Sequence, residues 1–149
     1  MRPSTKFLLV EDDRNDLRLV QEVFRRGNHC QLSAVEDGQE AMEYLLGKGE
    51  FRNRTQHPFP HVILLDLKMP RVDGFEFLRW LRHEAPPDLR LLPVIVMSSS
   101  DHPRDIRRAY ELGVNSYLIK PIEWAEFQAR MEALNIFWAQ HVETPGTSA

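Results

Sequence analysis

The chain has 149 residues, 19 Lys and Arg against 22 Asp and Glu, a formal net charge of −3 and one cysteine, Cys30. This length predicts one domain with a full hydrophobic core, and the mild acidity argues against a dedicated nucleic-acid-binding protein. The apolar runs are too short for a membrane span or a signal peptide, and a lone cysteine suits the reducing cytoplasm. We therefore expect a cytoplasmic globular protein whose partners are neither membranes nor nucleic acids.

Short apolar runs alternate with longer helical patterns along the chain. The runs cover residues 7–10, 32–35, 62–65, 94–97 and 117–119. Four of the five lack apolar/polar alternation, which predicts strands that are buried on both faces, as in a parallel sheet. Five strands alternating with five helices predict a doubly wound (βα)₅ sheet of the α/β class. We expect an N-terminal arm over residues 1–5, a single domain over 6–142 and a flexible tail over 143–149.

Several helix ends are marked by their residue types. Asp37 and Asp73 are each followed three residues later by Glu, which predicts an N-cap at both positions. Pro103 suits the first turn of a helix, and Gly113 suits a left-handed stop after one. The polar segment 47–60 is long for a connection, which is typical of a mobile or functional loop.

Four of the five predicted strands are followed by polar or charged residues. These are Glu11, Asp12 and Asp13 after the first strand, Asp66 after the third, Ser98 after the fourth and Lys120 after the fifth. Each of them alone has an ordinary explanation as a helix cap, a turn former or a surface charge. In an open parallel sheet, however, they share the edge at which ligands bind. Three carboxylates at one edge repel one another and need a cation, and Mg²⁺ suits their oxygen ligands.

This combination points to phosphoryl transfer onto Asp66. A carboxylate and a phosphoryl group are both anionic, so their reaction requires positive charge between them. Asp12 can bind the metal directly and Glu11 through water, while Ser98 and Lys120 can bind phosphoryl oxygens. Lys120 is one of only four lysines in a chain with 15 arginines, which favours a specific role for its ammonium group. The product would be an aspartyl phosphate.

In four motifs the chain resembles the receiver domain of two-component response regulators. The motifs are LLVEDD (8–13), VILLDLKMPRVDG (62–74), PVIVMSS (93–99) and YLIKP (117–121). The resemblance implies a CheY-like, flavodoxin-like fold with strand order 2-1-3-4-5. It also implies Mg²⁺-dependent phosphorylation by a sensor histidine kinase, with output through protein contacts or a phosphate relay. Such a domain is not an enzyme beyond catalysing its own phosphorylation and dephosphorylation.

The resemblance assigns roles to individual residues. It implies that Asp66 is the phosphoacceptor and that Asp12, Asp66 and the main-chain carbonyl of Lys68 are Mg²⁺ ligands. Glu11 is then the other member of the acidic pair. Ser98 and Tyr117 are implied as switch residues, and Lys120 as the lysine that binds the phosphoryl group. It also implies a cis peptide bond before Pro121.

A looser resemblance concerns small stand-alone regulators that are partners of bacterial phytochromes and related sensor histidine kinases. It rests on the 47–60 insertion, on the NSYLIKP stretch (115–121) and on the aromatic end of the chain around Phe137. If the domain fills the chain, no DNA-binding or enzymatic output module fits, so we expect an unknown downstream protein as the target. The sequence leaves the cognate kinase, the phosphate lifetime and the choice between signal output and relay open.

The last predicted helix carries more apolar residues than one face can bury. Phe127, Met131, Leu134 and Trp138 follow a core-facing spacing, and Trp124, Ile136 and Phe137 lie off that stripe. Such a surplus favours a protein interface. We expect a homodimer whose interface includes Trp124, Ile136, Phe137 and Trp138.

An alternative is a phosphatase of the haloacid-dehalogenase type, which also uses an aspartate nucleophile with Mg²⁺. Such enzymes need a second Asp two residues after the nucleophile as a general acid, and here that residue is Lys68. The substitution favours a stored phosphate over turnover. A nucleotide-binding module is less favoured still, because neither GxGxxG nor GxxxxGK[ST] occurs.

Overall fold

Five parallel strands form one sheet in the order β2-β1-β3-β4-β5 in the computed structural model, which describes residues 4–145. The strands are β1 (Thr5–Val10), β2 (Cys30–Val35), β3 (Val62–Leu65), β4 (Val94–Ser98) and β5 (Ser116–Ile119). The helices are α1 (Arg14–Gly27), α2 (Gly38–Leu46), α3 (Gly74–His83), α4 (Pro103–Glu111) and α5 (Trp124–Gln140), with 3₁₀ turns at Gly49–Phe51 and Pro87–Leu91. The predicted doubly wound fold and its strand order are confirmed. Residues 1–3 of the expected arm and 146–149 of the expected tail lie outside the described residues.

The helices cover the sheet on both faces, so the core has two layers. Alternate residues of β1 point to opposite layers, with Leu8 and Val10 in one and Phe7 and Leu9 in the other. The first layer contains buried residues of α2, α3 and α4, and the second contains those of α1 and α5. Phe127 and Met131 of α5 are buried in the second layer, as the spacing of the helix predicts.

Burial along the strands follows their position in the sheet. All described side chains of β3 and β4 are buried, because neighbouring strands and helices surround them. The prediction that β5 is buried on both faces is wrong: Tyr117 and Leu118 are half-buried and Ile119 is 37% exposed. The reason is that β5 forms an edge of the sheet, where strands pair on one side only and coverage by helices is incomplete.

The predicted helix ends are confirmed. The Asp37 carboxylate accepts a hydrogen bond from the Glu40 amide, and the Asp73 carboxylate accepts one from the Glu76 amide. Pro103 is the first residue of α4, and Gly113 has a φ of +93°. The N-termini of α2, α3 and α4 are therefore the points at which the loops from the carboxyl edge of the sheet end.

Segment 47–60 packs against the domain. The Tyr44 hydroxyl of α2 donates to the Pro58 carbonyl, and the Phe51 side chain is buried. The Arg54 guanidinium donates to the Leu45 and His57 carbonyls and lies 5.6 Å from the centre of the Tyr44 ring. The segment is therefore held by its own aromatic and arginine contacts.

The prediction of a cis peptide bond before Pro121 is wrong. No peptide bond within residues 4–145 is cis. The trans form is the more stable one for an X–Pro bond, and the Lys120 amide before it still donates to the Ser98 carbonyl at 2.7 Å.

No helix within residues 4–145 is long and apolar enough to cross a membrane.

Candidate functional site

The sheet brings the predicted site residues to one edge. Val10 pairs with Leu65, so Glu11 and Asp66 follow adjacent strands at the same level, and the Asp66 amide donates to the Val10 carbonyl. Ser98 is the last residue of β4 and pairs with Ile119, which directly precedes Lys120. The carboxyl ends of four strands thus deliver these side chains to one place, as expected for an open parallel sheet.

Three carboxylates form a cluster at this edge. Glu11, Asp12 and Asp66 each offer an oxygen within 4.8 Å of the others. Glu11 and Asp66 are buried, whereas Asp12 is exposed. Burial, and after it the charge of Asp66, raises the pKa of Glu11 to about 8, and partial desolvation raises the pKa of the exposed Asp12. Burial makes the charged forms of Glu11 and Asp12 costly, and a divalent cation bound among the three carboxylates would offset that cost.

Lys120 supplies positive charge from the side of β5. Its ammonium group lies 2.6 Å from Glu11 Oε1, 2.8 Å from Asp16 Oδ2 and 3.5 Å from Asp66 Oδ2. Burial alone would lower the pKa of Lys120, but the carboxylates of Asp66 and Glu11 outweigh it and raise the pKa above its usual value. The ammonium group therefore stays charged beside the cluster.

Asp16 is a site residue that the sequence reasoning missed. It lies in the first turn of α1, where its carboxylate accepts a hydrogen bond from Lys120. The signal was its position three residues after the N-cap Asp13, in the first turn of the helix that follows β1, because that end of α1 lies at the carboxyl edge of the sheet. Asp13 accepts a hydrogen bond from the Asp16 amide.

The predicted switch residues lie together on the β4 and β5 side of the site. Ser98 is fully buried, and its hydroxyl accepts a hydrogen bond from the Ser100 amide at 3.1 Å. The half-buried Tyr117 ring packs against the core, and its hydroxyl donates to the Ser100 carbonyl at 2.9 Å. Ser100 therefore contacts both residues, a connection that the sequence alone did not indicate.

The loop after Asp66 is held close to the sheet. The Gly74 amide donates to the Leu67 carbonyl, and a Cβ at Gly74 would lie 2.6 Å from the Asp66 carbonyl oxygen. Lys68 lies in this loop with an exposed side chain.

The four predicted interface residues of α5 divide into two groups. Trp124, Ile136 and Phe137 are 54%, 44% and 55% exposed. Trp138 is half-buried, and its ring packs edge-on against Phe7 at 6.3 Å. Three of the four therefore form surface, and the fourth belongs mainly to the core.

Comparison with known proteins places these features in a family. The family model of the response regulator receiver domain matches residues 7–132. Response regulator Rcp1 of Synechocystis sp. is 38% identical over 144 residues, which cover 96% of this chain and 95% of Rcp1. The probable methanogenesis regulatory protein FilR2 of Methanothrix harundinacea is 36% identical, over 93% of this chain and 86% of FilR2.

Solved structures agree with these relatives. The Mn²⁺-bound form of Rcp1 has a TM-score of 0.85 at 37% identity, covering 95% of this chain and 99% of that one. The phosphorylated cyanobacterial phytochrome response regulator RcpA has a TM-score of 0.88 at 34% identity, over 97% and 100%. The bacteriophytochrome response regulator RtBRR has a TM-score of 0.71 at 42% identity, over 96% and 85%. These matches do not support the alternative of an aspartate-nucleophile phosphatase.

Proposed function

The chain belongs to the response regulator receiver family, and we propose that it accepts a phosphoryl group on Asp66 from the phosphohistidine of a sensor kinase. The family consists of signalling receivers and not of classical enzymes. The observation that carries the proposal is the environment of Asp66, a buried carboxylate between two further carboxylates and the ammonium group of Lys120. In the reaction an Asp66 oxygen forms a bond to phosphorus while the bond to the histidine nitrogen breaks, and the nitrogen keeps the electron pair.

Mg²⁺ is the cofactor of this proposal. Glu11, Asp12 and Asp66 would hold it, together with the main-chain carbonyl of Lys68 that the family implies. When bound, the ion neutralises the charge between the Asp66 carboxylate and the incoming phosphoryl group. The raised pKa values of Glu11 and Asp12 support a cation at this place, because burial disfavours both anions and a bound cation would offset that cost.

The other side chains bind the transferred group. Lys120 already lies 3.5 Å from an Asp66 oxygen and pairs with a phosphoryl oxygen once the group is attached. Ser98 donates its hydroxyl proton to a second oxygen, and Tyr117 packs behind it. The modification thus biases an equilibrium between two arrangements of the β4 and β5 side of the domain. In this proposal the chain catalyses its own phosphorylation and dephosphorylation and no other reaction.

The phosphoacceptor is tested with small phosphodonors. The protein is incubated with Mg²⁺ and acetyl phosphate, or with beryllofluoride, and the product is followed by intact mass and tryptophan fluorescence. We expect an adduct on the wild type and none on Asp66→Asn. Asp101→Asn, an exposed aspartate in a loop of the same edge, is the control and keeps the adduct. An adduct on Asp66→Asn, or none on the wild type, overturns the assignment.

We further infer a kinase of the bacterial phytochrome type as the partner, in the cytoplasm. The support is the similarity to proteins named as phytochrome and bacteriophytochrome response regulators. The test is phosphotransfer from a radiolabelled bacterial phytochrome kinase, with an unrelated sensor kinase as control. Equal transfer rates from both kinases would remove the phytochrome partnership and leave the phosphoacceptor untouched.

A homodimer through α5 completes the proposal. Trp124 and Ile136 expose apolar surface on the flank of α5 next to α1, and Phe137 exposes it on the flank next to β5. A groove of about 390 Å³ beside Phe137 is lined by Leu118 and Leu134. Trp138 is half-buried against Phe7 and contributes to the exposed surface only in part. The downstream target is a protein, reached through a surface whose shape depends on phosphorylation.

A further inference from the structure

Ser100, in the loop between β4 and α4, makes hydrogen bonds to Ser98, to Tyr117 and to helix α4. Its amide donates to the Ser98 hydroxyl oxygen at 3.1 Å, and its carbonyl accepts from the Tyr117 hydroxyl at 2.9 Å. Its own hydroxyl donates to Asp105 Oδ2 at 2.7 Å. One residue therefore contacts both proposed switch residues through its main chain and helix α4 through its side chain.

The two main-chain contacts orient the switch residues. Because the Ser98 oxygen accepts from the Ser100 amide, its single proton remains available for a phosphoryl oxygen on Asp66. Because the Tyr117 hydroxyl is bound to the Ser100 carbonyl, its ring stays packed against the core and does not turn outward. Both arrangements depend on where the main chain of Ser100 lies.

The position of Ser100 is set from α4. The residue lies in a loop, so no strand ladder or helix holds it. Asp105, in the first turn of α4, accepts the short hydrogen bond from its hydroxyl, and the His102 amide donates to the same hydroxyl at 3.3 Å. A hydrogen bond to a carboxylate is among the stronger ones in proteins, so Asp105 is the main constraint on this loop.

We propose that Asp105 is a positioning residue of the phosphorylation switch, which acts through Ser100 to hold Ser98 and Tyr117 in the arrangement that the phosphoryl group requires. This inference rests on the proposed function and names a regulator of the same site. Asp105 contacts Ser100 and is not one of the three clustered carboxylates Glu11, Asp12 and Asp66. Its effect is to make the phosphorylated arrangement less costly to reach, because part of it exists beforehand.

The test measures the affinity for beryllofluoride with saturating Mg²⁺, by tryptophan fluorescence. We expect Asp105→Ala and Ser100→Ala each to weaken binding by about three- to tenfold, the factor that corresponds to one hydrogen bond. The double variant should bind beryllofluoride no more weakly than whichever single variant has the lower affinity, since both changes remove the same contact. Asp101→Ala, which removes an exposed carboxylate four residues earlier, should leave the affinity unchanged.

A second background separates positioning from general destabilisation. In Tyr117→Phe the hydroxyl that Ser100 holds is absent, so Asp105→Ala should weaken binding by a clearly smaller factor there. A structural role alone would give the same factor in both backgrounds. Ser100→Ala removes only the hydroxyl that donates to Asp105 and serves the same comparison if Asp105→Ala unfolds.

Two outcomes overturn the inference: unchanged affinity in both single variants, or an equal loss with and without the Tyr117 hydroxyl. Failure of the proposed function itself is distinct, because the wild type would then form no beryllofluoride adduct that depends on Asp66.

Discussion

At the residue scale, the three carboxylates that suit a cation also repel one another, and this repulsion lowers the free energy of unfolding of the domain. Glu11, Asp12 and Asp66 are held within 4.8 Å of one another, and Lys120 balances only part of their charge. The pKa of Glu11, raised to about 8 by burial and then by Asp66, is the visible result. A side chain that is needed for chemistry can in this way lower the stability of the domain that carries it.

Asp66→Asn should therefore stabilise the metal-free domain while abolishing phosphorylation. Removing one negative charge from the cluster relieves repulsion, and we expect the free energy of unfolding to rise by about 1 kcal/mol. Urea unfolding with and without Mg²⁺ measures the free energy of unfolding of the wild type and of the variant. Mg²⁺ should stabilise the wild type more than the variant, because a ligand stabilises the state to which it binds. A variant less stable than the wild type without Mg²⁺ would contradict this account of the cluster.

Most site residues could be predicted from their place in the sequence, since each directly follows or ends a strand. Glu11, Asp66, Ser98 and Lys120 meet for that reason alone. The contact of Asp16 with Lys120 could not be predicted in the same way, because it depends on the direction in which α1 leaves the sheet.

At the element scale, helix α3 begins against the backbone of Asp66, the proposed phosphoacceptor. Gly74 is its first residue, and a Cβ there would meet the Asp66 carbonyl oxygen and the Leu67 Cα, both at 2.6 Å. Neither atom is the end of a flexible side chain, so the strand or the helix would have to move. The absence of a side chain at position 74 therefore sets the distance between α3 and the end of β3.

Gly74→Ala should lower the free energy of unfolding by about 2 kcal/mol and slow the phosphorylation of Asp66, because overpacking displaces the backbone. Gly49→Ala is the matched control. Gly49 has a φ of +59°, and a Cβ there would meet open space. The Gly49→Ala substitution should therefore cost only about 1 kcal/mol of backbone strain and leave phosphorylation unchanged. Unfolding curves and acetyl phosphate kinetics measure both. Equal phosphorylation rates in the two variants would show that α3 does not position Asp66.

A second link between elements joins α2 to the loop before α3. The Arg71 guanidinium donates two hydrogen bonds to the Asp37 carboxylate, at 2.7 and 3.0 Å, although Arg71 has a φ of +62°. Burial raises the pKa of Asp37, but the hydrogen bonds from Arg71 and from the Glu40 amide lower it by a larger amount. The pKa of Asp37 therefore lies below its usual value. The pair thus helps to hold this backbone in a conformation that a residue other than glycine rarely adopts.

Stability should depend on pH through this pair. A carboxyl group whose pKa is lower in the folded state stabilises the fold above its unfolded pKa of about 4, and the effect disappears as the pH falls through the folded value. Arg71→Asn, which tolerates the positive φ, should therefore be less stable than the wild type at pH 7. The difference should shrink below pH about 4. Urea unfolding from pH 7 to pH 3 measures it, and a difference that is independent of pH would exclude the pair as its cause.

The central strands could be predicted because their apolar runs are continuous, but two other features could not. The half-exposed surface of β5 depends on its place at the sheet edge and on the helices beside it. The packing of segment 47–60 depends on contacts of Arg54 and Phe51 with α2, which no periodicity encodes.

At the scale of the whole molecule, α5 has apolar residues on the side that faces the domain and on the side that faces solvent. The sequence predicted the surplus but could not assign each residue to a side. The structure places Trp138 against Phe7 and leaves Trp124, Ile136 and Phe137 on the surface. In a two-fold dimer every interface residue is used twice, so even a small exposed patch contributes substantially to association.

Phe137→Glu should weaken the proposed homodimer by about thirtyfold or more, since about 1 kcal/mol of apolar burial is lost in each copy and the new charges face each other. Leu91→Glu is the control, because Leu91 is 63% exposed on the Pro87–Leu91 turn and does not belong to the α5 surface. Sedimentation velocity over a range of protein concentrations, with and without beryllofluoride, measures the dissociation constant. A wild type that stays monomeric in both states excludes the homodimer. A dimer that Phe137→Glu leaves intact must use another surface, and the exposed aromatic residues of α5 would then be available to the downstream protein.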